Sequence, residues 1–151
     1  TDSVNHAWTA VGTVPSMGRP GKSWTIDDAA AATMIVVPGT MGALPQHSWS
    51  GTADRHQSSS YTMNDVERVF DHVAHDTVTA VVFQMPRRSN PFPISGTIIR
   101  NVTTTFTAGS MTRTITRRIE VTFNGSPMAV LHDGALTCEL NLMLRTVGNC
   151  H

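Results

Sequence analysis

Charge is scarce in this sequence. Asp, Glu, Lys and Arg make up 15% of its 151 residues, and Lys22 is the sole lysine. Acids and bases balance to a formal net charge of +0, so global electrostatics gives no reason to expect a nucleic-acid partner. Catalytic signatures are missing too. There is no Gly-x-Ser-x-Gly elbow to present a nucleophilic serine, no Gly-rich phosphate loop and no Cys-x-x-Cys pair. These absences argue against an enzyme, and no catalytic or cofactor-binding residue is assigned. The longest apolar run, residues 29–37, falls far short of the ~20 residues a spanning helix needs. No membrane span is therefore expected.

What is abundant is β-forming sequence. From Phe92 to Gly125, Thr, Ile, Val and Phe dominate two arms separated by Ala108-Gly109-Ser110. These residue types suit a pleated, half-buried surface, and the break between them can turn the chain. In the second arm Met111, Ile115, Ile119, Val121 and Phe123 share one parity, while Thr112, Thr114, Thr116, Arg118, Glu120 and Thr122 share the other. The stretch reads as a long β-hairpin. Thr77–Gln84 reads as a strand before it, ended by prolines. After it, His132-Asp133-Gly134 signals a type I′ turn between Pro127–Leu131 and a returning strand Ala135–Leu140, which Leu142–Val147 could continue.

The remainder is less regular. Residues 1–46 carry Pro15, Pro20, Pro38 and Pro45 with several glycines, and read as an irregular arm with little core of its own. His6–Val14 and Thr33–Val37 are short strand candidates within it. Asp27-Asp28 before four alanines could start a helical turn. His47–Gln57 reads as strand and turn, and Ser58–Ser60 as a loop. Tyr61–Asp76 supports two readings. Val66, Val69, Phe70 and Val73 recur at helical spacing behind a Thr62 cap, whereas strict alternation from Glu67 to Ala74 fits a strand. The expected fold is an all-β antiparallel meander of hairpins over residues 47–151, with a Gly/Pro-rich N-terminal arm over 1–46 and little or no helix.

The motifs at the hairpin resemble those of a group of exported bacterial β-rich proteins, many of them lipoproteins. The opening is Phe92-Pro93-Ile94-Ser95-Gly96-Thr97-Ile98-Ile99-Arg100, followed by a Thr/Arg-rich hairpin and Val121-Thr122-Phe123-Asn124-Gly125. Trp49-x-Gly51, Arg68-x-Phe70-Asp71 and Thr77–Val82 fit the same pattern upstream, so the likeness covers about residues 47–145. It implies that residues 66–84 are strands. It also implies a role as a membrane-extrinsic, periplasmic accessory subunit of a larger membrane complex, the sharpest version being a photosynthetic reaction-centre and light-harvesting complex. A start at Thr1 without methionine agrees with a processed, exported chain, a boundary of expression being the other reading. In an oxidising compartment Cys138 and Cys150 would close a short loop worth about 3 kcal/mol. That bridge is expected, two free buried thiols being the alternative.

Two groups of residues are candidates for partner binding. No Asp or Glu occurs from Thr77 to Ile119, yet Arg87, Arg88, Arg100, Arg113, Arg117 and Arg118 fall there. Arg113 and Arg117 share strand parity with Ile115 and Ile119. Buried guanidinium must be paired, so a mixed Ile/Arg face suits an acidic protein subunit or anionic lipid headgroups. Pairing with the acids of Tyr61–Asp76 is the structural alternative. Trp8 and Trp24 in the arm, with its methionines, are residue types enriched at interface cores. His72 and His75 could hold a metal only on a helix, since a strand points them to opposite faces. With the strand preferred, no metal site is assigned.

Overall fold

A computed structural model describes residues 2–15, 23–42 and 44–151 of the chain. They form one antiparallel sheet of nine strands in sequence order: β1 (Asp2–Pro15), β2 (Ser23–Met41), β3 (Leu44–Met63), β4 (Val66–Gln84), β5 (Ser95–Ala108), β6 (Met111–Thr122), β7 (Met128–Asp133), β8 (Leu136–Asn141) and β9 (Thr146–Gly148). The all-β meander is as expected, and no helix occurs among the described residues.

The N-terminal stretch departs from the expected irregular arm. β1 and β2 are long strands paired from Asp2↔Val36 to Pro15↔Ser23. Of the prolines that suggested irregularity, Pro20 lies outside the described residues, and the other three sit where a strand lacks a neighbour. Pro15 is the last residue of β1. Pro38 lies beyond the point where β1 stops pairing, and Pro45 precedes the first β3–β4 pair at Gln46↔Gln84. A missing N–H costs nothing at such positions. Residues 27–32 form strand rather than a helical turn, because β2 is laddered on both sides and tertiary pairing overrides alanine's helix preference. Ser58–Ser60 likewise lies in β3 rather than in a loop.

Tyr61–Asp76 resolves as the end of β3, a tight turn and the start of β4. Asn64 and Asp65 hold φ of 54° and 60°, the two left-handed residues of a type I′ turn. Gly109 and Gly134 open the β5–β6 and β7–β8 turns with φ of 59° and 62°. The residue after each glycine is not left-handed, so the turn at Gly134 is of type II′ rather than the I′ expected. Leu142–Arg145 turns the chain instead of extending β8. The Asn141 carboxamide oxygen accepts the N–H groups of Met143 and Leu144 at 3.0 and 2.9 Å, and β9 returns beside β8. Cys138 and Cys150 are disulfide-bonded, fastening the C-terminal tail to β8. Thr137 and His151 exchange reciprocal backbone hydrogen bonds of 3.0 Å next to the bridge.

One irregularity sets which side chains face which way. Trp49 pairs with Val81 but Gly51 with Val78, and Thr79 pairs with Thr97 but Val82 with Ser95. β4 therefore carries one extra residue at Thr79–Val81, a bulge. Ala80 adopts φ 46° there and donates its N–H to Ser50 Oγ at 3.0 Å. The bulge reverses the parity of β4, so Val81 and Phe83 join the face that Ala74 and Val78 occupy. Two glycines lie beside it, Gly51 making room for β2 and Gly96 for the bulge itself. A Cβ on Gly51 would collide with the Thr33 carbonyl oxygen and come within 2.9 Å of Met34 Cα. Gly96 has φ 106°, and a Cβ there would meet the Ala80 carbonyl and lie 2.5 Å from Val81 Cα.

Candidate docking face

Register assigns the described side chains of the strands to one of two faces. The first face holds all the buried residues of the described strands: Asp28, Val36, Ala74, Val81, Ala129 and Cys138. It has three zones. At the bulge end a row of directly opposed residues runs Met34, Gly51, Val78, Ile98, Val121, Leu131, Cys138 from β2 to β8. Met34 Sδ lies over the bare Cα of Gly51, 2.9 Å from where a Cβ would be.

The middle zone alternates small residues with ion pairs. Arg55 Nε and Nη2 donate to the Asp28 carboxylate at 3.0 and 2.6 Å. Arg100 donates to Asp76 in the same forked way at 2.7 and 2.6 Å, and Arg117 to Asp133. Bidentate geometry is the strong form of this contact. Arg55 hydrogen bonding holds the Asp28 carboxyl below its ordinary range, against the opposing effect of burial. The bond to Asp76 raises Arg100, and that to Asp133 raises Arg117.

The third zone, at the hairpin tips, is aromatic. Tyr61 and Phe70 stack at 6.5 Å, and Phe70 meets Phe106 at 4.8 Å. Arg68 lies over the Tyr61 ring at 5.9 Å, and its Nε is buried without a hydrogen-bond partner. Arg113 stands directly opposite Phe106, and no ion pair of the described residues involves it. Met111 is 63% exposed beside this cluster.

The other face is the more polar of the two, with Ile35, Val37, Val73 and Val130 among its exposed apolar residues. Thr103–Thr116, Thr105–Thr114 and Thr107–Thr112 hydroxyls pair across β5 and β6, and His56–Asp71 and His75–Asp54 pair at 2.6 Å between β3 and β4. His72 and His75 fall on opposite faces, His72 bonding Thr104 at 3.1 Å on the first. No cluster among the described residues has the makings of a metal site.

Of the residues singled out from sequence, Arg100, Arg113 and Arg117 come together on the first face. Arg87 and Arg88 lie apart, in the connector after β4, with the Arg87 guanidinium 3.9 Å above the Phe83 ring. The side chains of Trp8 and Trp24 lie outside the described residues. Sequence reasoning missed Arg68 and the aromatic ladder, because Tyr61 and Phe70 become neighbours only once the Asn64-Asp65 turn is placed.

Among the described residues, no second layer covers the first face. Total accessible surface is 9802 Å², against roughly 7,500 Å² for a compact monomer of this mass. No large side chain is completely buried among the described residues, and Ile115, Leu136 and Val147 on this face are 46–53% exposed. No described helix is long and apolar enough to cross a membrane. Comparison with protein-family models, curated proteins and solved structures yields no match.

Proposed function

We propose that this chain is a non-enzymatic structural subunit whose first face docks onto a larger partner. The observation that supports this most is the uncovered apolar face. An amphipathic sheet needs a second layer, and the described chain supplies none. The face is rich in aromatic, Met and Arg residues, the types enriched in interface cores. Arg113 and Arg68 bring cationic groups to it without bound carboxylates, which suits an acidic subunit or anionic headgroups. Combined with the resemblance to exported proteins, the reading becomes a membrane-extrinsic, periplasmic subunit of a membrane complex, with the photosynthetic reaction-centre and light-harvesting complex as its sharpest form.

The test is affinity purification of the tagged chain from gently solubilised native membranes, followed by absorption spectra and mass spectrometry. Pigment-bearing subunits co-eluting in fixed ratio would support the reading. A free, monodisperse monomer that never accompanies membrane proteins would overturn it. A second reading has the same observation behind it: the chain is a free secreted β-protein that binds a ligand or stacks its apolar face on other copies. Concentration-dependent assembly of the purified chain, with no membrane partner, would favour that instead.

A further inference from the structure

The backbone of β6 is only one-third used on its outer side. β7 pairs with Ile119–Thr122 alone. No described strand pairs Met111–Arg118 on that side, and every residue in that stretch is exposed. The hairpin phase says which groups are free. In a two-residue turn the closing residues, Ala108 and Met111, exchange hydrogen bonds, and the pattern alternates from there. Met111, Arg113, Ile115 and Arg117 therefore bond to β5, while Thr112, Thr114, Thr116 and Arg118 aim their N–H and C=O groups outward. Glu120 and Thr122 continue the same outward row and are the residues placed opposite His132 and Val130 of β7. The unpaired part is roughly 25 Å long.

We propose that this edge is a docking site for an extended acidic segment of a partner protein, which adds as a strand beside β6. The inference rests on the docking-subunit reading for the source of that segment, and on the β6 backbone for its geometry. Main-chain pairing would supply affinity and the flanking side chains selectivity. Arg113 and Arg117 flank Ile115 on the apolar face, and Arg118 projects from the other. The edge carries no acid before Glu120. A complementary strand has carboxylates opposite Arg113 and Arg117 and an apolar residue between them: acid-x-apolar-x-acid. Arg117 already bonds Asp133 at the inner end of the edge, so Arg113 is the cation awaiting a partner. A second copy fits less well. Two-fold pairing of β6 with itself about Ile115 sets Arg113 opposite Arg117 twice, and like charges directly opposed are unfavourable.

The experiment is amide hydrogen exchange by NMR on the whole chain. The probe is a short synthetic peptide centred on Glu-Thr-Ile-Thr-Glu, run beside its Lys-for-Glu counterpart and a version N-methylated at the residues that would donate to β6. The acidic peptide should slow exchange at Thr112, Thr114, Thr116 and Arg118 by about tenfold or more, and neither control should. R113E should weaken the acidic peptide by about tenfold. Thr114→Pro, tolerated on an edge where the N–H faces solvent, should abolish its binding. Equal binding of the N-methylated peptide would reduce the contact to charge alone and overturn the inference. So would unaltered exchange at saturating peptide, or edge amides already slowed by self-association of the free chain. If Thr114→Pro still co-purifies with membrane subunits while the peptide fails, the edge site falls and the docking-subunit reading stands. If the acidic peptide protects the edge but nothing co-purifies, the edge site stands and the membrane-complex reading falls.

Discussion

The two faces of one sheet have been put to opposite uses. One carries the apolar row, the aromatic ladder and the forked Arg–carboxylate pairs, and it holds all the buried residues of the described strands. The other carries threonine pairs and His–Asp pairs open to solvent. Alternation along a strand produces such a division automatically, but here it survives a change of phase. Without the bulge at Ala80, Val81 and Phe83 would point among the threonines, and Val82 and Gln84 into the apolar face. The contrast between the faces therefore depends on a few backbone positions as much as on side-chain composition.

The largest expected effect comes from breaking that device. Gly96→Ala places a Cβ on a residue with φ 106°, against the Ala80 carbonyl and Val81 Cα. Neither neighbour is the end of a flexible side chain, so the backbone itself must shift. We expect a loss of ~3 kcal/mol or more, read as a fall in the urea midpoint. Retention of the wild-type midpoint would mean that the bulge does not need glycine opposite it.

A smaller effect should separate the faces directly. Phe70→Ala removes the centre of the ladder, whose ring sits between Tyr61 and Phe106. For a half-buried aromatic the expected cost is about 2 kcal/mol. Thr105→Ala, directly opposite Thr114 on the polar face, should change stability by no more than about 0.5 kcal/mol. If the docking reading holds, the first substitution also weakens co-purification with membrane subunits and the second leaves it intact. Equal costs for both would mean that the faces do not differ in what they hold together.

Much of this division was legible in sequence, and the failures have specific causes. The parity of Met111, Arg113, Ile115, Arg117 and Ile119 survives unchanged into the sheet, because β6 is regular throughout. The cysteine pairing was legible because only one bridge is available. The bulge was not: Val-Thr-Ala-Val-Val-Phe reads as an unbroken apolar strand, and only cross-strand register shows that a residue has been inserted. The Asn64-Asp65 turn was hidden by a Thr62 capping pattern that fits a helix start equally well. Pro38 and Pro45 suggested irregularity because sequence does not say where a neighbouring strand stops. Arg100 pairs with Asp76, one of the Tyr61–Asp76 acids that the sequence offered as partners, whereas Arg117 pairs with Asp133, a partner set by register across the sheet that the sequence did not indicate.

The smallest effect concerns the charged groups that the apolar face accommodates. Asp28 is 7% exposed and forked to Arg55, and its carboxyl is held below the ordinary range chiefly by that bond. A depressed folded-state pKa contributes stability that is fully present above the unfolded value, near 4, and is lost as pH falls through the lower folded value. The wild-type urea midpoint should therefore decline on acidification below about pH 4 through this residue. Asp28→Asn should start lower at pH 6 and converge with wild type in acid, since protonation then removes from wild type what the substitution has already removed. The comparison isolates one residue, so the other carboxylates shift both curves together. Parallel curves from pH 6 to pH 2 would mean that the Asp28–Arg55 contact adds no pH-dependent stability. The apolar face would then hold its charges by geometry alone, with Arg55 covering Ala30 and Ala74 on either side of it in register through the aliphatic part of its side chain.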